Sequence, residues 1–158
     1  MMENITRASL EDAVTLLELQ KLAYQSEALL YNDFNIPPLA QSLDEMRSDI
    51  TSKVFLKASI KGNITGSVRG YQEENVCFIG RLIVHPDFQG QGIGTALMVQ
   101  IESCFDRVQR FQLFTGHKSE RNIHLYERLG YKIFKKQKIN KNLSLLFMEK
   151  YQSTEYLL

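Results

Sequence analysis

The sequence predicts an α/β (α+β) domain that covers residues 1–158, with a mixed, mostly antiparallel sheet and helices on both faces. The apolar residues switch between a period of two and a helical period, in the order strand, two helices, meander, strand–helix–strand–helix and two closing strands. A chain of 158 residues is long enough to bury one core, which we place at about residues 5–150. No linker, internal repeat or low-complexity segment divides it.

The predicted helices follow from apolar residues at helical spacing and from the residues that can cap them. The first two open with capping boxes, in which a serine stands three positions before an acidic residue. The first helix ends near Tyr24, and residues 25–41 after it are rich in Asn, Asp and Pro, which predicts a long loop. The helices begin at Ser9, at Ser42, within or just after the glycines at 90, 92 and 94, and at Ser119 or Glu120.

The predicted strands follow from alternating apolar and polar residues and from their β-branched and aromatic side chains. Turns at Lys61–Asn63 and Asn140–Asn142 join two antiparallel pairs. The central strand ends at Pro86, because proline removes a ladder donor and restricts the residue before it. The strands cover residues 5–8, 54–60, 64–71, 76–84, 110–116, 131–138 and 143–150.

The composition is that of an ordinary globular protein, with 44% hydrophobic and 23% charged residues. The net charge of +1 gives no case for a nucleic-acid partner. We find no signal peptide and no stretch long enough for a membrane span, so we expect no membrane partner and a cytoplasmic location. Cys77 and Cys104 lack metal-ligand spacing, so we expect no metal and two small buried side chains.

The segment Gly80–Phe105 combines a strand, a glycine-rich loop and a helix start. The first turn of a helix has unpaired N–H groups and a partial positive charge, and glycines let a phosphate approach the backbone. The loop is not a Walker P-loop, because Thr-Ala-Leu follows Gly94, and neither glycine register completes the dinucleotide fingerprint. The loop Gln89–Gly94 instead fits the pattern Q/R-x-x-G-x-G/A.

In this loop, and in the overlapping run V-x-P-x-(F/Y)-Q-x-x-G that begins before it, the sequence resembles the GNAT superfamily of acyl-CoA-dependent N-acyltransferases. The run is carried by Val84, Pro86, Phe88, Gln89 and Gly92. The resemblance implies the GNAT-type acyl-CoA N-acyltransferase fold, in which strands 76–84 and 110–116 splay apart to admit pantetheine.

The cofactor implied by this resemblance is acetyl-CoA (coenzyme A), with its pyrophosphate on the loop amides and its pantetheine along the central strand. The implied cofactor-binding residues are Leu82, Ile83, Val84, Gln89, Gly90, Gln91, Gly92, Ile93, Gly94, Thr95, Ser119 and Asn122.

A second stretch, Ser119–Tyr131, resembles the family pattern N-x-x-A-x-x-L-Y-x-x-x-G-(F/Y), in which the tyrosine hydroxyl can protonate the leaving sulfur. Tyr126 takes that position, although its spacing alone would also suit a core tyrosine. Ser119 stands where the family has asparagine, and Asn122 where alanine is common. Either could bond the cofactor, and we favour Asn122 because an amide both donates and accepts and reaches farther.

The residue that deprotonates the acceptor amine is not marked by either pattern. Many relatives carry a glutamate where this chain has Arg81, which cannot act as a base. We therefore expect abstraction through water, with Glu27, Asp33 and His85 as candidate proton acceptors. The alternatives are solvated loop carboxylates and, for His85, a turn residue before proline.

The acceptor pocket is expected to be lined by Glu27, Asp33, Arg69 and Arg81. If both arginines point to the same face, they could receive an acidic substrate or pair with Glu27. Two arginines in surface salt bridges are the alternative. The closing hairpin is rich in lysine, which indicates a solvated face first and a contact with the adenosine 3′-phosphate second.

The resemblance implies transfer of the acetyl group of acetyl-CoA to a primary amine of an unidentified small-molecule or peptide acceptor, directly in a ternary complex. Neither cysteine is placed by the motifs to carry an acyl intermediate. The alternative is a catalytically weak acyl-CoA-binding regulatory module, which Arg81 keeps open. A homodimer is compatible with the apolar tail Tyr156-Leu157-Leu158 and common in the superfamily.

Overall fold

The computed structural model describes residues 4–152, in which a seven-stranded sheet is flanked by helices. The strands are β1 (Asn4–Arg7), β2 (Val54–Ile60), β3 (Asn63–Glu73), β4 (Val76–Val84), β5 (Arg110–Gly116), β6 (Lys132–Lys138) and β7 (Ser144–Tyr151). The helices are α1 (Ala13–Ala23), α2 (Gln25–Tyr31), α3 (Pro37–Ala40), α4 (Leu43–Ser52), α5 (Ile93–Ser103) and α6 (Glu120–Arg128). None of these helices has the length and apolar character that crossing a membrane would need.

The sheet order is β1-β2-β3-β4-β5-β7-β6, and only β4 and β5 run parallel. Residues of β2 alternate between two cores. Phe55 packs with Leu16 and Met46 beneath α1 and α4, whereas Leu56 packs in a cluster with Leu97 of α5. Because both faces of the sheet are covered by helices, the predicted fold class is confirmed.

The parallel pair β4 and β5 separates soon after it begins. Pairing runs only from Val76 with Arg110 to Phe78 with Gln112, although both strands continue for several residues. Within residues 4–152, the last six residues of β4 therefore have no strand partner on the β5 side. The predicted splay of these two strands is confirmed.

A β-bulge sits in the unpaired half of β4. Ser67 pairs with Ile83 and Arg69 with Gly80, so β4 has one residue more than β3 between these pairs. Arg81 lies in the bulge with φ +49°, a left-handed conformation that is uncommon for a residue other than glycine. The bulge bends the strand next to the gap, and strained backbone of this kind concentrates at functional sites.

The long loop predicted for residues 25–41 is wrong, because two short helices occupy much of it. Ala28 and Tyr31 of α2 are buried three residues apart, and Asn32 ends the helix in a left-handed conformation. The prolines of α3 occupy its first turn, where a missing N–H costs nothing. Both capping boxes are present, although the one at Ser9 opens a 3-10 turn that precedes α1.

One further prediction differs from the structure. Cys104 is exposed at the end of α5, whereas Cys77 is buried as predicted. Phe105 shares the helical spacing of α5 but lies beyond the end of the helix, where it is buried in the loop. The tail residues Tyr156, Leu157 and Leu158 lie outside the described part of the chain.

Helix α2 is held against the end of β5 by a chain of hydrogen bonds. The backbone N–H of Lys118 donates to the Tyr31 hydroxyl at 2.9 Å, and the Ser119 hydroxyl donates to Glu27 Oε2 at 2.7 Å. Because that bond uses the only hydrogen of Ser119 Oγ, the Tyr31 hydroxyl, 2.7 Å from it, must donate to it. A Cβ added at Gly116 would lie 2.0 Å from the Tyr31 hydroxyl oxygen, so only glycine leaves room for this arrangement.

We expect Gly116→Ala to lower the free energy of unfolding by about 1–3 kcal/mol, because the new methyl group forces Tyr31 and α2 to move. Gly80→Ala is the matched control in a neighbouring strand, since no atom lies within 4 Å of its added Cβ. This control should change stability by less than about 0.5 kcal/mol. Urea denaturation of both variants is the measurement, and equal stability would contradict the proposed contact.

Candidate functional site

Two cavities meet between the separated strands. The first, of about 930 Å³, lies along the end of β4 and the glycine-rich loop. The second, of about 670 Å³, extends from the same strand across β5 towards α3 and α4. Tyr24, Glu27, Leu82 and Asn122 line both, so the cavities join at these four residues.

The glycine-rich loop gives the first cavity a wall of backbone. Gly90 and Gly92 have φ values of +79° and +84°, which other residues rarely adopt, and no atom lies within 4 Å of a Cβ added at either position. Gly92 is the N-cap of α5, so the N–H groups of the first turn have no carbonyl one turn earlier to accept their hydrogens. This open surface of N–H groups suits a pyrophosphate.

The unpaired half of β4 forms the adjoining wall. Leu82, Ile83 and Val84 line the first cavity, and on the β5 side they have no strand partner among the described residues. A chain with amide groups, such as pantetheine, can bond to such a strand edge. The first cavity therefore fits coenzyme A along both its phosphate and its amide portions.

The predicted cofactor-binding residues fall almost entirely on this cavity. Gln91 does not line it, and Ile93 is buried, so Ile93 can offer only its backbone. Those that line it are Leu82, Ile83, Val84, Gln89, Gly90, Gly92, Ile93, Gly94, Thr95, Ser119 and Asn122. Their contacts with a cofactor remain a prediction.

Basic side chains that the sequence motifs did not single out as binding residues also line the first cavity. They are Lys118, Arg121 and Arg128, and Arg121 Nη1 donates a hydrogen bond to Gln89 Oε1 in the loop. The sequence signal for the two arginines is their spacing of seven, which places them on one face of α6. Positive charges beside the loop favour a phosphorylated ligand.

Of the two polar residues in the second motif, Asn122 has the freer side chain. Ser119 is buried, and its hydroxyl is bonded to both Tyr31 and Glu27. Asn122 is half-buried at the join of the cavities. This placement favours Asn122 over Ser119 as a side-chain contact for a cofactor.

Tyr126 is a core residue that also lines the second cavity. It belongs to the main hydrophobic cluster, and its ring lies edge-on to Tyr131 with the centroids 6.0 Å apart. Burial raises the pKa of its hydroxyl well above the ordinary value, and nearby Tyr24 and Glu27 raise it further. The hydroxyl therefore keeps its proton at neutral pH and can donate it.

Tyr24, which the sequence pattern marks only as the end of α1, is a second phenol at the join. Burial raises the pKa of its hydroxyl to about 12, against the opposing effect of Arg81 and Arg69. An aromatic residue at the end of a helix usually serves the core, so no local pattern distinguishes it. Only the approach of α1 to the gap between the strands brings it to the site.

The structure separates the three candidate bases. Glu27 lines both cavities, and its Oε2 accepts the hydrogen bond from Ser119. Asp33 lines neither cavity and accepts a hydrogen bond from the Asn35 backbone at 2.8 Å, as in an Asx turn. We therefore no longer expect Asp33 to contact the reacting groups or the substrate.

His85 is the third candidate, and it also lies outside both cavities. Its Nδ1 accepts a hydrogen bond from the Asp87 backbone at 3.0 Å, which caps the short turn Pro86–Phe88. With Nδ1 as the acceptor, the neutral ring carries its proton on Nε2 and has no free lone pair. His85 is therefore a turn residue, which corrects its prediction as a catalytic base.

The two predicted arginines both line the second cavity but differ in environment. Arg69 is buried and forms an ion pair of 2.6 Å with Asp49, so neither the predicted pairing with Glu27 nor the surface alternative is correct for it. Arg81 is half-buried and donates to Gln41 Oε1 at 2.7 Å.

In the closing hairpin, every residue of β6 is exposed, as expected for a solvated face.

Comparison with solved structures shows the same fold. The chain superposes on the PaiA N-acetyltransferase of Thermoplasma acidophilum in complex with coenzyme A with a TM-score of 0.81 and 17% identity, covering 96% of this chain and 100% of that one. For the ribosomal-protein-S18-alanine N-acetyltransferase of Escherichia coli, the values are 0.79, 17%, 99% and 99%. For a putative acetyltransferase of Salmonella typhimurium with acetyl-CoA, they are 0.74, 18%, 97% and 95%.

The sequence itself matches a family model over residues 15–131, which is more than half of the chain. That family is described as the acetyltransferase (GNAT) family, which uses acetyl-CoA as co-substrate. The match spans the unpaired half of β4, the glycine-rich loop and the helix that carries Tyr126. The resemblance predicted from these motifs is confirmed, and the chain belongs to the GNAT acetyltransferase family.

Proposed function

We propose that this protein transfers the acetyl group of acetyl-CoA directly to a primary amine in a ternary complex. The observation that carries the proposal is the join of the two cavities at Tyr24, Glu27, Leu82 and Asn122. A thioester that lies along β4 and an amine in the second cavity would meet there without an acyl-enzyme. Acetyl-CoA, when bound, supplies the activated acetyl group.

Each proton in this reaction has a candidate partner in the second cavity, Glu27 at the join and Tyr126 beyond it. Glu27 accepts the proton of the attacking amine, directly or through one water, as the C–N bond forms and the C–S bond breaks. Tyr126, which lines the second cavity and is protonated at neutral pH, donates its hydroxyl proton to the departing sulfur. The two groups line the same cavity, so both can act on one bound pair of substrates.

Glu27 is supported in this role by its hydrogen bonds. The chain from Lys118 through Tyr31 and Ser119 ends on its Oε2 and fixes the carboxylate. Its Oε1 forms no hydrogen bond with the described residues, which leaves one oxygen to accept a proton. A carboxylate held in this way is preorganised for the task that a β4 glutamate performs in many relatives.

Gly92→Glu should abolish binding of coenzyme A, because it places a negative charge against the pyrophosphate in the loop. The matched control is Gly62→Glu in the turn between β2 and β3, where φ is +81° and the surrounding space is also open. Both variants carry the same backbone strain, so only the former should lose binding in titration calorimetry. Equal affinity in the two folded variants would refute the position of the phosphate site.

Tyr126→Phe should lower kcat by about 10²-fold with little change in the KM for acetyl-CoA, because the lost proton acts in the transition state. Tyr131→Phe is the control, since it removes a buried hydroxyl that bonds Glu102 and lines neither cavity. Steady-state release of the free thiol measures both. A Tyr126→Phe enzyme with unchanged kcat would remove this residue from the chemistry.

Glu27→Gln should lower kcat/KM for the amine by about 10²-fold or more, because the amide can still accept from Ser119 but cannot take up a proton. The loss should shrink as the pH approaches the pKa of the amine, where the acceptor is already neutral. Glu18→Gln, an exposed change on α1, should leave the profile unaltered. A uniform loss across the pH range would indicate a structural role instead.

A further inference from the structure

Two cationic side chains of the second cavity share one carboxylate, and the third cation, Arg81, has none among the described residues. Arg69 Nη1 lies 2.6 Å from Asp49 Oδ2, and Lys53 Nζ lies 3.2 Å from Asp49 Oδ1. Arg81 has no carboxylate oxygen within 4.0 Å among the residues that the structure describes, and its hydrogen bond goes to the neutral side chain of Gln41. All of these residues line the second cavity.

Gln41 is the hydrogen-bond partner of Arg81, but it carries no charge. Its Oε1 accepts from Gln20 at 2.8 Å and from Arg81 at 2.7 Å, and its Nε2 donates to Asp49 at 2.8 Å. The amide therefore fixes the geometry of the cluster but supplies no charge. A guanidinium has five N–H donors, and the bond to Gln41 uses one of them for Arg81.

The buried guanidinium of Arg69 shows the same shortage of acceptors. It stacks over the Phe55 ring at 4.4 Å, and its Nη2 donates to Gln20 Oε1 at 2.6 Å. Its Nε is buried and has no hydrogen-bond partner. Burial lowers the pKa of Arg69 to about 10, and the charge of Arg81 contributes to that shift. Among the described residues, the cluster therefore keeps N–H donors that have no acceptor, at Arg69 Nε and on Arg81.

The position of Arg81 relates its unused N–H donors to the acceptor. Arg81 lies in the bulge, immediately before Leu82. Leu82 and Glu27 both line the join of the two cavities. The second cavity thus presents the Glu27 carboxylate to an incoming ammonium group, together with the Arg81 guanidinium, which has no carboxylate partner among the described residues. A molecule that carries both an amine and a carboxylate matches this arrangement, whereas a polyamine does not.

We infer that the acceptor is an amine that carries a carboxylate, and that Arg81 binds this carboxylate. The inference rests on the proposed function and names the substrate class for it. A free amino acid and a peptide with an acidic first residue share this chemistry. A phosphate-bearing amine fits less well, because Glu27 and Glu45 line the same cavity and would repel a dianion.

The test compares matched acceptors that differ only in charge, namely amino acids and their primary amides, in the wild type and in Arg81→Gln. We expect the wild type to prefer the acids, and the variant to raise the KM for the acids about tenfold or more while leaving the amides unchanged. An amino acid and its amide differ in the basicity of the amine, but this difference is the same in the wild type and in the variant. It therefore cancels when the change in KM caused by Arg81→Gln is compared between the acid and the amide. Peptides with acidic and neutral first residues form a second pair that distinguishes the two sources.

Two further variants control for charge and folding. Arg81→Lys keeps the charge at the strained backbone position and should recover part of the preference. Arg47→Gln removes an exposed arginine of α4 that pairs with Asp44 and lines neither cavity, so it should change neither KM. Thermal melts check that each variant is folded. The preference of the wild type for acids over amides is measured without any variant, so it tests the inference even if a variant does not fold.

The outcomes separate the inference from the function on which it rests. Three outcomes would overturn the inference and leave the proposed function intact. The wild type could prefer the amides, it could prefer phosphate-bearing amines, or Arg81→Gln could affect acids and amides equally. Tight binding of acetyl-CoA without turnover of any amine would overturn the proposed function, and the inference with it, in favour of an acyl-CoA-binding module.

Discussion

The separation of β4 from β5 is the constraint on which the site depends. After three paired residues, the remaining N–H and C=O groups on one side of β4 lack a strand partner within residues 4–152. Unpaired backbone groups in a folded protein need another partner. The bulge at Arg81 and the glycines before α5 lie next to the same gap between the strands, so the strained residue and the glycine-rich loop both border it.

The cofactor side of the site could be predicted from the sequence because its chemistry is built from backbone. A loop whose amides face a phosphate needs positive φ values and open space, and glycine is the residue that permits both. The sequence records that requirement directly at Gly90 and Gly92. The strands were equally accessible, because their alternation is a local signal, and β2 and β5 have the predicted bounds.

The contacts of the acceptor side could not be predicted, because they join residues far apart in the chain, although Glu27, Arg69 and Arg81 line the second cavity as expected. Arg81 bonds Gln41, Arg69 bonds Gln20, and Tyr31 bonds Ser119, at separations of 40, 49 and 88 residues. Helix α2 has only seven residues, which is too short to be stable alone, so its fold comes from the packing of Tyr31 against Gly116. The pattern of polar residues that indicated a loop there was correct locally and was overridden by tertiary contacts.

The exchange of a strand carboxylate for Arg81 has consequences for the electrostatics of the whole site. In the proposed mechanism it transfers proton acceptance to Glu27 of α2, so the chemistry would depend on how that helix docks on β5. It also adds a cation beside Arg69, whose pKa is lowered first by burial and then by Arg81. In the inferred complex, an incoming carboxylate would offset the charge of Arg81, whereas an amine without a carboxylate would not. This difference in charge would let the site select its acceptor.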